Sequence, residues 1–496
     1  MNTYTKLTRI VGLVMSAAII LSACAPAATP TVAPTAAPPT SVPATPVPPT
    51  IAPTAAPQLK GDAIRGGRLY DKWWTVLSVD APTKDQPLWK TQTTNKLTGA
   101  DTWRCKECHG WDYKGVEGAY GSGSHKTGFK GVMGVAGKDA NAILAILKGS
   151  VNPDHNFSSV MNDQALIDLS LFLSSGLIDV STIVASNKSP VNGNATKGKA
   201  TYTDNCDLCH GPQGTAINFK NDAGAEYVGT IGLSNPWEFL HKARFSQPGV
   251  SKMPSGVNLK MTTQDYADLL LYVQSLPASS PVTEGGRLYD KWSSALGVTA
   301  PTQDQPLWKT QTTNKLTGAD TWRCKECHGW DYKGVDGAYA SGSHKTGFKG
   351  ISKSVSMSAE DLTAWLTGKK NPNHDFSAYL KEAQIKMLIA FVQKGMTDTT
   401  PYIQADKKVK GDSAKGKTPY TAACASCHGD DGKSIAFGAK DKPEYVGTVA
   451  NSNPWEFWHK VSVGQPGKQM PAAINLGWTP ENIANVLAYS QTLPQK

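Results

Sequence analysis

The chain has 496 residues, a formal net charge of +10 and nine cysteines, with 40% hydrophobic and 8% aromatic residues. That length admits several domains of ordinary size, and the absence of any basic run or recognition motif excludes a nucleic-acid partner. The scattered lysines fit either a solvated surface or docking to acidic proteins and anionic membranes, where charge acts mainly on encounter rate.

At the N-terminus, Lys6 and Arg9 precede an apolar run from Ile10 to Leu21 that ends in Leu21-Ser22-Ala23-Cys24. This pattern predicts a signal peptide over residues 1–23. As an uncleaved membrane anchor, the run of twelve residues would be short for a bilayer. Leu-Ser-Ala-Cys is similar to a bacterial lipobox, which implies that Cys24 becomes a lipidated first residue and anchors the chain outside the cytoplasm. Residues 24–60 then form a tether. From Ala25 to Pro57 it is almost wholly Pro, Ala, Thr and Val without charge, and cannot build a core. In extended polyproline geometry, at about 3.1 Å per residue, this stretch reaches on the order of 100 Å. No later stretch is long and apolar enough for a transmembrane helix.

Four times the remaining chain writes Cys-x-x-Cys-His-Gly, at Cys105, Cys108 and His109, at Cys206, Cys209 and His210, at Cys324, Cys327 and His328, and at Cys424, Cys427 and His428. This spacing is the attachment signature of c-type haem: two thiols on one helical turn form thioethers to one porphyrin, and the adjacent imidazole falls beneath the iron as proximal ligand. Eight of the nine cysteines are used in these pairs, and the ninth is Cys24, so none remains for a disulfide framework. Zinc sites of four cysteines give no reason for a histidine after every pair. A thioredoxin-like redox pair is not expected four times with that histidine. The cofactor expected is therefore four covalently bound haem c groups with their iron.

The block Gly66-Gly67-Arg68-Leu69-Tyr70-Asp71-Lys72-Trp73 returns at Gly285 to Trp292, and the same offset carries Cys105 to Cys324 and His155 to His374. The chain is thus a tandem duplication, each copy holding two haem motifs. Four modules follow in the order A-B-A-B: A1 at 61–185, B1 at 186–281, A2 at 282–403 and B2 at 404–496.

In B1, Lys197-Gly198-Lys199-Ala200-Thr201-Tyr202 leads helically into Cys206, and Thr263 is expected to cap a last helix through Tyr266, Leu269, Leu270 and Val273. Between them stand Gln247-Pro248-Gly249 and Lys252-Met253-Pro254, repeated in B2 as Gln465-Pro466-Gly467 and Gln469-Met470-Pro471. These features resemble class I cytochromes c. The resemblance covers residues 60 to 496 and implies a mainly α fold of four cytochrome c-like modules, placed on the extracytoplasmic side. It assigns Met253 and Met470 as distal haem ligands; the competing role is a methionine filling a core gap.

In the A modules the methionine is missing. Asn152-Pro153-Asp154-His155 and Asn371-Pro372-Asn373-His374 stand there instead, between helical stretches at 142–148 and 164–173 in the first copy, which predicts bis-histidine ligation by His155 and His374. The rivals are His125 and its repeat His344. His241 and His459 are expected beside the B haems in a structural role. The A modules also depart from the family through a long segment before the first cysteine, Trp74 to Trp103.

An iron with two strong axial ligands has no vacant position for a substrate. The expected function is therefore electron transfer between extracytoplasmic redox proteins that are acidic at the docking face, without catalytic residues. Methionine ligation raises the potential of the B haems above that of the A haems. The alternatives are a haem enzyme with an open A-module iron, resembling a peroxidase or a sulfur-compound oxidoreductase, and a subunit of a respiratory complex or conductive chain.

Overall fold

A Gly-x-x-x-Tyr pair stands on the first helix of every module, at Gly66 and Tyr70, Gly198 and Tyr202, Gly285 and Tyr289, and Gly416 and Tyr420. The computed structural model describes residues 58–250 and 252–496. The expected signal peptide, Cys24 and nearly all of the tether lie outside the described residues. In A1 the helices are α1 (Ala63–Leu77), α2 (Cys105–His109), α3 (Ala140–Leu147) and α4 (Asp163–Leu171), and in B1 α5 (Ala195–Asn205), α6 (Asp207–His210), α7 (Val228–Ser234), α8 (Pro236–Phe245) and α9 (Thr263–Val273). A2 contributes α10 (Pro281–Leu296), α11 (Cys324–His328), α12 (Ala359–Leu366) and α13 (Glu382–Lys394). B2 contributes α14 (Ser413–Ala423), α15 (Ala425–His428), α16 (Val446–Ser452), α17 (Pro454–Val463) and α18 (Pro480–Ser490). The only strands among the described residues are a hairpin in B2, β1 (Phe437–Ala439) and β2 (Lys442–Glu444). The fold is mainly α, and no described helix is long and apolar enough to cross a membrane.

In each module the first helix packs on the last: α1 on α4, α5 on α9, α10 on α13 and α14 on α18. The glycines explain the closeness of that crossing. A Cβ at Gly66 would stand 2.1 Å from the Asp168 carbonyl oxygen, and one at Gly198, Gly285 or Gly416 would stand 1.9 Å from the carbonyl of Asp268, Met387 or Asn485. The obstacle is backbone, which cannot swing away as a side chain can. Gly198→Ala is therefore expected to destabilise B1 by about 1–3 kcal/mol or more, as overpacking does. Thermal unfolding checks it against Gly224→Ala, where nothing lies within 4 Å.

Helix α9 begins one residue earlier than expected. Its N-cap is Thr262, not Thr263, because Asp265 at the third helical position returns a bond to Thr262 and closes a capping box.

The cores cross the module boundaries. Leu69, Tyr70, Trp73, Leu166, Leu169 and Phe172 of A1 form one cluster with Phe245 of B1, and the counterpart in A2 takes in Val463 of B2. Helix α8 lays Phe245 on Gly67, where a Cβ would come within 2.4 Å of the ring. Beside it, buried His241 donates from Nε2 to the Gly67 carbonyl (2.9 Å) and accepts at Nδ1 from the Tyr113 hydroxyl (2.8 Å). His459 repeats both bonds, to Gly286 and Tyr332. These two histidines therefore have a structural role, at the joint with the A module. Trp111, directly after the first haem motif, meets the His241 ring at 5.1 Å, and Trp330 meets that of His459 at 5.2 Å.

The same joint is pinned by charge. Asp71, 1% exposed, receives Arg104 at 2.5 Å and Lys242 at 2.7 Å, and Asp290 receives Arg323 and Lys460, each at 2.7 Å. Burial opposes ionisation of Asp71, but Lys242 and Arg104 outweigh it and hold the carboxyl well below the ordinary carboxylate range. A folded-state pKa depressed in this way gives stability that is complete above the unfolded carboxylate value, about 3.9, and is lost as pH falls below it. Asp71→Asn should accordingly flatten the acid limb of a stability–pH curve below about pH 4, while lowering stability at neutral pH.

Candidate haem-binding sites

Each Cys-x-x-Cys-His motif forms one short helical turn, α2, α6, α11 or α15, packed on the first helix of its module, with Cys206 and Cys424 as the N-caps of α6 and α15. The glycine after each histidine has positive φ, 80° at Gly110, 76° at Gly211, 80° at Gly329 and 80° at Gly429, which turns the chain sharply away from the ring. Its carbonyl then accepts from the tyrosine of the first helix: Tyr70 to Gly110 at 2.7 Å, Tyr202 to Gly211 at 2.8 Å, Tyr289 to Gly329 at 2.7 Å and Tyr420 to Gly429 at 3.0 Å. These tyrosines were missed as site residues. Their signal was the Gly-x-x-x-Tyr pair, written four times at matching places.

In A1, His109 donates from Nδ1 to the Lys130 carbonyl at 2.7 Å, which leaves Nε2 to accept. Burial pushes its pKa down to about 4, keeping the imidazole neutral. The His155 ring lies opposite, centroid to centroid 6.2 Å with 74° between planes, and the pair His328 and His374 repeats this at 6.2 Å and 64°. Two imidazoles on one metal, each with a bond of about 2 Å, would set their ring centres about 6 Å apart. The spacing therefore fits an iron between the rings. The rivals lie elsewhere: His125 stacks on Tyr120 at 4.9 Å with Nδ1 3.6 Å from Glu107, and His344 stacks on Tyr339 at 4.9 Å with Nδ1 3.6 Å from Glu326.

The long segment from Trp74 to Trp103 has a use here. His155 ends a short 3-10 turn capped by the Asn152 side chain. Buried Gln86 donates to the Asp154 carbonyl at 2.7 Å, and Gln305 donates to Asn373 at 2.6 Å. The added segment thus clamps the turn that carries His155 in A1 and His374 in A2. His374 is further fixed by donation from Nδ1 to the Trp365 carbonyl at 3.1 Å.

In the B modules, the His210 and His428 rings meet Phe219 at 5.8 Å and Phe437 at 5.7 Å. Burial pushes His210 down to about 4 and lowers His428 as well. Nδ1 of each is buried without a protein partner. The B proximal rings thus lack the Nδ1 bond to a backbone carbonyl that His109 makes in A1. Met253 and Met470, both half-buried, lie in the loops from α8 to α9 and from α17 to α18, and Met470 packs on the B2 core that includes Tyr420, Phe457 and Ile483. The residues present can hold a haem at each site: two cysteines for the thioethers, a neutral imidazole on one side, and histidine or methionine on a segment between the penultimate and last helices.

Among known families, Cytochrome c matches residues 413–494, and Cytochrome C oxidase, cbb3-type, subunit III matches residues 193–273. No curated protein matches. Among solved structures, reduced recombinant cytochrome c4 from Pseudomonas stutzeri is similar at 19% identity and a TM-score of 0.13, over 40% of this chain and 98% of that one. Thiosulfate dehydrogenase from Marichromatium purpuratum, in its as-isolated form, is similar at 16% identity and a TM-score of 0.20, over 82% of this chain and 89% of that one.

Proposed function

We propose that this chain, which carries cytochrome c family domains at residues 193–273 and 413–494, is a tetrahaem class I c-type electron carrier with two alternating kinds of haem site. The observation that carries the reading is the pair of opposed imidazoles at 6.2 Å in each A module. His109 and His155 would hold one group, and His328 and His374 another. His210 with Met253, and His428 with Met470, would hold the remaining two. Cys105 and Cys108, Cys206 and Cys209, Cys324 and Cys327, and Cys424 and Cys427 would form the thioethers. Bound haem supplies one-electron exchange at its iron.

The chain's own part would be to offer the group a side-chain ligand from each side, to keep the imidazoles neutral by burial, and to fix the proximal rings from Nδ1, as the Lys130 and Lys349 carbonyls do in A1 and A2. Closed sites favour transfer over substrate chemistry, so the reading is a carrier and not an enzyme. The lipobox-like Leu21-Ser22-Ala23-Cys24 supports membrane anchoring on the extracytoplasmic side through a lipidated Cys24. The net charge, +10 for the whole chain and +8 without Lys6 and Arg9 of the signal peptide, supports partners with an acidic docking face.

The test is low-temperature electron paramagnetic resonance during a potentiometric titration, with haem content measured on the same sample. Four haems per chain are expected, in two axial classes of equal number, the methionine-ligated class at the higher potential. One axial class only, or fewer than four haems, overturns the reading.

A further inference from the structure

The sequence orders the modules A1, B1, A2, B2, but the packing orders their haem-binding segments differently. Each A module is joined to the B module that follows it, A1 to B1 across α1 and α8, and A2 to B2 across α10 and α17. The two halves meet at B1, which touches B2 beside its own haem motif and A2 farther along. A Cβ on Gly211, directly after His210, would stand 2.2 Å from the Asn475 carbonyl oxygen. The Ala472 amide donates to the Ala216 carbonyl at 2.9 Å, the Asn475 side chain donates to the Thr215 carbonyl at 2.7 Å, and Gln469 donates to the Phe219 carbonyl at 3.0 Å. Helix α6, which ends in His210, also packs on α14, which leads into Cys424. A2 meets B1 farther along that segment, where Arg287 binds Asp222 and Tyr227 binds Glu284.

We propose that the contact of B1 residues 211–219 with B2 residues 469–475 is the electron-transfer junction between the two halves, so that the working order of modules is A1, B1, B2, A2. This rests on the proposed haem ligation. Two features make the contact a built junction. It joins the segment after one proximal histidine to the segment that carries the neighbouring distal methionine, so the two B sites share a wall. It is also absent from the first copy: Asn258, which matches Asn475, is exposed, whereas Asn475 also bonds Ser280 at 2.9 Å and Thr283 at 3.1 Å. Transfer across the junction balances by itself, because the electron lost by the ferrous iron of one module is gained by the ferric iron of the other and no bond or proton changes. The two methionine-ligated sites then stand in the middle of the chain of modules, and the two histidine-ligated sites stand at its ends, facing external partners.

Adjacent redox sites repel each other's charge, so each is harder to reduce once its neighbour has been reduced. The experiment titrates the methionine-ligated signal in the full-length holoprotein and in Met253→His and Met470→His, each of which leaves one such site. If B1 and B2 are neighbours, the parent curve runs at lower potential than the sum of the two single-variant curves, and Asn475→Leu moves it back toward that sum. In the unaltered protein, reduction of only the methionine-ligated haems should also give a pair of opposite-signed Soret circular dichroism bands, a readout that needs no variant. A parent curve equal to the sum, or a Soret band of single sign, overturns the order. Loss of the methionine signal from the parent would instead strike the ligand assignment itself, so the two failures are distinguishable.

Discussion

His155→Ala, reduced under carbon monoxide, is expected to bind the gas at one haem per chain where the parent binds none, and His155→Ala/His374→Ala at two. His109 and His155 face each other at 6.2 Å, and the His155 backbone is held by the Asn152 cap and by Gln86, so truncation removes the ring without releasing the turn. No other histidine is placed to take over. The side chain of His125 is 49% exposed and 3.6 Å from Glu107, and that of His344 is 45% exposed and 3.6 Å from Glu326. His125→Ala should therefore leave carbon monoxide binding and the bis-histidine resonance unchanged. Gln86→Ala should give a smaller effect of the same kind, a partly labile A site, because it loosens the turn and keeps the imidazole. The fraction of haem that binds carbon monoxide, read from the Soret shift, is the measurement. If His125→Ala opens a site and His155→Ala does not, the A ligands have been assigned the wrong way round.

How legible this was differs from residue to residue. The haem motifs could be read outright, because thioether attachment demands two cysteines and a histidine at fixed spacing. The helical class and most helix positions could be read as well: the stretches expected at 142–148 and 164–173 are α3 (Ala140–Leu147) and α4 (Asp163–Leu171), the second prolonged by a π turn over Phe172–Gly176. The joint between A and B modules could not. Phe245 and His241 look like ordinary residues of an amphipathic helix, and nothing local says that they pack against Gly67 in another module. Gln86 is illegible for the same reason, since its partner Asp154 is 68 residues away and is engaged through its backbone. The four tyrosines were legible in principle, as a repeated spacing to a repeated glycine, but their reason for being there needs the crossing helices.

Asp222→Ala is expected to lower stability by about 3–5 kcal/mol, the cost of stranding a buried charge. Arg287 is 3% exposed, and its guanidinium meets the Asp222 carboxylate through Nε at 2.8 Å and through a terminal nitrogen at 2.6 Å. It also donates to the Val463 carbonyl at 2.8 Å, which ties B1, A2 and B2 at one point. Removing the carboxylate leaves the guanidinium desolvated beside the Tyr227 hydroxyl and the buried Glu284. The double variant Asp222→Leu/Arg287→Met should recover most of the loss, because a buried pair adds little over a packed apolar one. The duplication supplies the controls. Arg68, the counterpart of Arg287, is only half-buried, and Lys440 stands on the exposed hairpin of B2 where B1 has Asp222. Arg68→Ala and Lys440→Asp should therefore each change stability by no more than about 0.5 kcal/mol. Calorimetric unfolding of the four proteins decides it. The two copies therefore differ where this joint is made: Asp222 stands where Arg287 is buried against it, and the matching place in B2 holds the exposed Lys440.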